Sequence, residues 1–346
     1  MSISMHDIAT KCGVSAMTVS RSLNPAHHHL VNEQTRHKIM AFCERHNYGP
    51  NYSARTLAVR KTFSIGLIQP WVQQIGASHT YGLMLKYFVD ELRTYDYTIS
   101  LLPLNTDSPD SVDREVVKAI RTGRVDGFIS LTGFIGKTAL DEMSKRKFAI
   151  VTFNMPSDPV QEIDDFRHVR IDSRPAVATL FEHLHQLGHD RIAFAGYSNS
   201  CLQRLNLYRE FLPNESDLLL VPSDRKSIDK SLLHGYKLVF DMWPRLKKYT
   251  AVTCINDAFA IGLCQGLKDK GMIPGKDIAV AGFDDLESGE TSAFLTTVHP
   301  PLKKAAKKCI ESLMSQIRAK QIASNTATTV DAKLIIREST ADSARG

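Results

Sequence analysis

Between Ser4 and Asn24, apolar residues recur three and four positions apart in two short runs separated by Gly13: Ile8, Ala9 and Cys12, then Val19 and Leu23. That spacing places each set on one face of a helix. Ser4 followed three residues later by Asp7 resembles a capping box, which starts a first helix running to about Cys12. Gly13 breaks it, and Ser15 is placed to cap a second helix whose Val19 and Leu23 point back at the first. Ala16, Met17, Thr18, Ser20 and Arg21 are left on the outward face. After a loop over Pro25–Leu30, Val31 and Asn32 open a third helix reaching Asn47, with Ile39 and Phe42 inward. Tyr48-Gly49-Pro50-Asn51 closes it.

From Phe63 the pattern changes to short apolar runs alternating with amphipathic stretches. Strands are predicted at Ser64–Gln69, Thr98–Leu102, Gly127–Leu131, Ala149–Phe153, Val169–Ile171, Arg191–Ala195, Leu218–Val221, Ala251–Ile255 and Ile278–Gly282. Most are followed by a helical stretch such as Ala258–Lys270, so the expectation is parallel sheet covered on both faces. Nine strands are too many for one ordinary sheet here, which implies two doubly wound lobes.

Composition changes this picture mainly through charge. The chain has 346 residues, 43% of them apolar, enough for two or three cores. Its net charge is +6, and residues 1–61 hold eight Lys and Arg against three Asp and Glu, so a surplus of five sits in the head. A small basic head on a nearly neutral body suits a polyanion partner. The outward face of the second helix is small, polar and cationic, as entry into a DNA major groove requires. The stretch Asn51–Ala58 is too short to be a stable helix alone. Leu57 near Arg55, Arg60 and Lys61 suits a wedge in a minor groove, formed on binding. No apolar run approaches the ~20 residues of a membrane span and no signal peptide is evident, so a cytoplasmic protein is expected. The six cysteines are scattered without a CxxC pair and read as structural thiols, and His27-His28-His29 reads as a solvated loop with no metal expected.

The segments DIATKCGVSAMTVSRSLN, the Thr35-Arg36 pair, NYGPN and ARTLA resemble the DNA-binding head and hinge helix of the lactose-repressor and galactose-repressor (LacI/GalR) family of bacterial transcription regulators. The resemblance implies base reading by Ala16, Met17 and Arg21, and minor-groove entry by Leu57 with Ala54. It places Ser4, Ser15, Thr18, Ser20, Asn24, Tyr48 and Asn51 at phosphate and sugar. It continues through LGHDRIAFAGY (187–197), INDAFAIGL (255–263), IPGKDIAVAGFDD (273–285), LTTVHPP (295–301) and KLIIRES (333–339). The implied fold is an all-α helix-turn-helix head (1–50) and hinge (51–61) before an α/β periplasmic-binding-protein-like effector domain. Its two lobes are expected at 62–162 with 297–324 and at 163–296 with 325–346.

In such sheets ligands bind beyond the carboxyl ends of the strands. Trp71, Asn105, Thr132, Asn154, Asp172, Tyr197, Asp224, Asp257 and Asp284 fall there, and Trp71 or Tyr81 could cover an apolar sugar face. Each carboxylate or amide could equally cap the helix that follows it. By the resemblance, Arg204 and Asp257 fall on the main effector positions, and Asn154 and Asp172 are further candidates. The expected effector is a sugar or a sugar derivative. No GxGxxG, GKS or GKT is present, and no GxSxG or HExxH, so neither cofactor nor catalytic residues are expected and the chain reads as no enzyme. Ser339–Gly346 lacks the leucine heptads of a tetramer zipper, which leaves a homodimer bound to operator DNA. A sugar-binding protein without a DNA role would leave the basic head unexplained.

Overall fold

A computed structural model describes residues 3–23, 28–49, 56, 59, 61–69, 79–102, 109–131, 135–154, 167–198, 202–222, 230–286, 293–319 and 327–341. The chain divides into two compact units, Met1–Thr62 and Phe63–Gly346. In the first, α1 (Met5–Cys12), α2 (Ala16–Leu23) and α3 (Glu33–Arg45) enclose a small core of Ile8, Ala9, Cys12, Val19, Ile39 and Cys43. The sequence builds each end. The Ser4 hydroxyl accepts from the Asp7 N–H at 3.3 Å while the Asp7 carboxylate accepts from the Ser4 N–H at 2.9 Å, the reciprocal capping box. Gly13, at φ 67, ends α1 in the left-handed region that glycine enters without strain. Phe42, expected inward, is half-buried and packs its ring against that of His46, tilted by 42° with centroids 4.3 Å apart. Cys43 takes the fully buried place instead.

The second unit carries two six-stranded sheets. The first runs β11-β5-β4-β3-β1-β2 and the second β12-β10-β9-β8-β6-β7. The strands are β1 Ser64–Ile68, β2 Thr98–Leu101, β3 Gly127–Ser130, β4 Ala149–Asn154, β5 Arg167–Asp172, β6 Ile192–Tyr197, β7 Leu218–Val221, β8 Ala251–Cys254, β9 Ala279–Phe283, β10 Thr296–His299, β11 Ala327–Asp331 and β12 Lys333–Ile335. Among the described residues all pairings are parallel except β10 with β12. The inner strands β3, β6, β8 and β9 are buried at every position, as strands covered on both faces must be.

Three strands, β10 to β12, lie outside the nine expected, and they move the lobe boundaries. β5 pairs with β4, so the first sheet extends to Asp172, past the expected crossing near 163. β10 belongs to the second sheet, while the helix Leu302–Ala319 packs on β3, β4 and β5. The return therefore falls at Pro300-Pro301, not near 297. β11 pairs with β5 in the first sheet and β12 with β10 in the second, so the last crossing is at Ala332, not near 325. The physical reason is ladder completion: β5 and β10 would otherwise be edges with unpaired backbone groups. Where β5 has not yet begun, the side chain of Gln316 stands in for a strand, accepting from the Ile150 N–H and donating to its carbonyl at 3.0 Å.

Candidate functional site

In the head, Ala16, Met17, Ser20 and Arg21 of α2 are exposed and Thr18 is half-buried. Met17 leaves 62% of its surface open, a large apolar side chain that the described residues do not cover. The Ser15 hydroxyl accepts from the Thr18 N–H at 3.1 Å, which fixes the first turn of α2. Ser4 is occupied as the α1 cap, and Tyr48 is half-buried against the head core. Asn24, Asn51, Ala54 and Leu57 lie outside the described residues. The arrangement presents one cationic guanidinium between small and apolar groups on a convex helix face, the shape and chemistry that fit base edges and thymine methyls.

In the second sheet the strand order reverses between β6 and β8, the switch point at which doubly wound sheets open a crevice. Three chain segments bring polar side chains to that end. Arg204, from the helix Leu202–Arg209, is buried. Its guanidinium lies 3.5 Å from the centroid of Phe283, donates to the Ile255 carbonyl, and pairs with Asp284 Oδ1 at 3.2 Å. Asp284 follows β9 at φ 113, unusual for a residue with a side chain. Beside them, Tyr197 Oη lies 2.9 Å from Ser231 Oγ and 3.2 Å from His234 Nδ1, and Asn256 Nδ2 donates to Ser231 Oγ at 3.3 Å.

Asp257 is buried at the start of the helix Asp257–Asp269. Its Oδ1 accepts from the Thr297 hydroxyl at 2.6 Å and its Oδ2 from the Leu286 N–H at 2.8 Å. Both oxygens are thus engaged by the protein. Burial pushes its carboxyl up to about 6, with the Asp284 charge adding to the rise and the two hydrogen bonds opposing it. The neighbouring Tyr208 phenol is also raised by burial.

The other expected effector residues are spread more widely. Asp172 ends β5 and its Oδ1 accepts from the Arg174 N–H at 2.9 Å, so its carboxylate starts the next helix, the alternative that strand-end acids always carry. Asn154 ends β4, in register with Arg170. Tyr81 sits half-buried on the helix His79–Arg93, and Trp71 lies outside the described residues. Arg204 and Asp257 are brought to one end of the second sheet. Asp284, a strand-end candidate already offered by the sequence, joins them there through its pairing with Arg204. Ser231 and His234 join them too; they follow residues 223–229, which lie outside the described residues, and no sequence signal marked them.

Residues 4–51 match the family model described as bacterial regulatory proteins, lacI family, and residues 181–340 match a periplasmic binding protein-like domain. The HTH-type transcriptional repressor PurR of Vibrio atlanticus is 27% identical over 326 residues, spanning 91% of this chain and 92% of that protein. Among solved structures, the lac repressor dimer bound to operator and the anti-inducer ONPF superposes with a TM-score of 0.73 at 22% identity, covering 98% of this chain and 99% of that one. The transcriptional regulator CelR in complex with cellobiose gives 0.64 at 19%, over 97% and 99%. At such identities the structural likeness is one of fold.

Proposed function

The chain belongs to the lacI family of bacterial regulatory proteins and is a DNA-binding transcriptional regulator with an effector-binding domain, and from that premise we propose how its residues divide the work. The head reads operator DNA through Ala16, Met17 and Arg21 of α2. Arg21 supplies a fork that pairs bidentately with guanine, and Met17 and Ala16 lie against thymine methyls. Ser4, Ser15, Thr18, Ser20 and Tyr48, with Asn24 and Asn51, serve phosphate and sugar, and the segment around Ala54 and Leu57 serves the minor groove. The observation that carries this reading is the open face of α2, with Met17 and Arg21 exposed on a head whose core apolar side chains close inward.

The effector is a sugar or sugar derivative held beyond the strand ends. Arg204 and Asp284 make the polar contacts. Asp257 supports them by fixing Leu286 and Thr297, and Asn154, Asp172, Trp71 and Tyr81 belong to the opposite side. A guanidinium and carboxylate side by side suit neighbouring hydroxyls, one accepting and one donating, and the cellobiose complex of CelR is a fold relative with such a ligand. The protein works in the cytoplasm as a homodimer. Effector binding shifts the population of lobe closure angles and so changes whether two heads can engage one operator.

Two measurements test this. Selection of bound duplexes from a random pool, followed by anisotropy titration across salt, is expected to return a two-fold symmetric motif and an affinity that falls steeply with salt. Binding without sequence preference would remove the reading. A thermal-shift screen of sugars and sugar phosphates is expected to give a hit that Arg204→Met abolishes. A hit that survives this change would show that the pocket lies elsewhere.

A further inference from the structure

The turn after β9 places two consecutive residues with side chains, Asp284 at φ 113 and Asp285 at φ 51, in backbone regions where glycine is usual. Such a turn persists only where its surroundings over-determine it. Asp285 supplies much of that constraint. Its Oδ1 accepts from Arg337 Nη2 at 2.7 Å, its Oδ2 lies 2.9 Å from His299 Nδ1, and its N–H donates to the Thr297 hydroxyl at 3.3 Å. Arg337 is anchored in turn. Its Nη1 donates to the Leu295 carbonyl and its backbone N–H to the Thr296 hydroxyl, each at 2.8 Å. Two residues on, the Ser339 hydroxyl accepts from the Thr296 N–H at 2.7 Å and donates to the Val280 carbonyl at 2.6 Å. Ser339 and Thr340 are completely buried.

We propose that the segment Arg337–Thr340 is a positioning element of the effector pocket: Arg337, acting through Asp285, holds the β9 turn so that the Asp284 carboxylate faces Arg204. The two aspartates divide the turn between them. Asp285 is tied back to the C-terminal segment, and Asp284 is presented to the guanidinium 3.2 Å away. The segment thereby sets effector affinity without itself contacting Arg204 or Asp284 among the described hydrogen bonds. The inference rests on the reading of Arg204 and Asp284 as effector contacts, and its test separates the two.

The test is a double-mutant cycle by urea unfolding of the full chain, using Arg337→Met, Asp284→Asn and the pair together. If Arg337 positions Asp284, Asp284→Asn costs about half as much or less once Arg337 is gone. Additive costs would mean that the segment merely stabilises the lobe, and would overturn the proposal. Arg337→Lys is expected to restore most of the coupling. Arg121→Met, which breaks an ion pair with Glu142 in the other lobe, is expected to add independently to Arg337→Met. Should Arg337→Met fail to fold, Asp285→Asn replaces it, keeping the shape while removing the charge. Calorimetric titration with cellobiose and with D-ribose completes the test. If the parent binds either sugar, Asp285→Asn is expected to weaken it at least about tenfold, and unchanged affinity overturns the proposal. Binding of neither sugar counts against the effector reading alone, and the cycle then decides the positioning role.

Discussion

Replacing Asp257 by asparagine removes a buried charge while leaving shape and volume almost unchanged. In the parent the carboxyl titrates at about 6 instead of its ordinary 3.8, because burial and the Asp284 charge both disfavour the anion. At about 1.4 kcal/mol per pH unit, that difference of roughly two units is worth about 3 kcal/mol. The folded state holds this proton more tightly than the unfolded chain. The stabilisation is therefore complete below about pH 3.8 and is lost as pH rises through about 6. The asparagine side chain has nothing to titrate. Its oxygen can still accept from the Leu286 N–H, and its amide can donate to the Thr297 hydroxyl, which in the parent donates at 2.6 Å. The unfolding free energy of Asp257→Asn minus that of the parent is thus expected to increase by about 2 kcal/mol between pH 4 and pH 7.5, the rest of the change lying below pH 4. Urea titrations followed by tryptophan fluorescence across that range measure it, and titrations common to both proteins cancel in the difference. A difference that stays flat with pH would refute the assignment of Asp257 as a buried group that charges inside the fold.

Three further outcomes follow from the same contacts. Arg21→Ala is expected to weaken operator binding by about 1 to 3 kcal/mol and to relax one base position in each half-site; an unchanged selected motif and affinity would rule this out. Ser4→Ala removes one half of the capping box and is expected to cost the head about 1 kcal/mol, read as faster hydrogen exchange of the Asp7 and Ile8 amides. Gly262→Ala would put a Cβ 1.8 Å from the Leu232 carbonyl oxygen, where the helix Asp257–Asp269 meets the helix Ser231–Asp241 backbone to backbone. The helices must part, at a cost of about 3 kcal/mol or more, and an unaltered melting temperature would show that the contact is loose.

Much of this molecule was legible residue by residue because the forces concerned are local. Ser4, Asp7 and Gly13 lie within one helix length of each other, so capping chemistry and left-handed backbone preference fixed α1 with no knowledge of the rest. The same holds for the runs that became β1, β3, β6 and β8, whose largely apolar character already demanded cover on both faces. The late strands were less readable. Thr296–His299 and Ala327–Asp331 carry threonines and charges that no apolar pattern marks, and they are strands because β9 and β5 offer them unpaired ladders. The site shows the same divide. Sequence brought Arg204 and Asp257 forward, but which acid meets the guanidinium was decided by tertiary structure. Thr297, forty residues from Asp257, occupies one of its oxygens, while Arg337, over fifty residues from Asp285, secures the turn that presents Asp284. Periodicity and caps report what a residue does to its neighbours along the chain. The direction of a buried carboxylate is set by whichever distant donor reaches it first with good geometry, and only the folded chain brings that donor there.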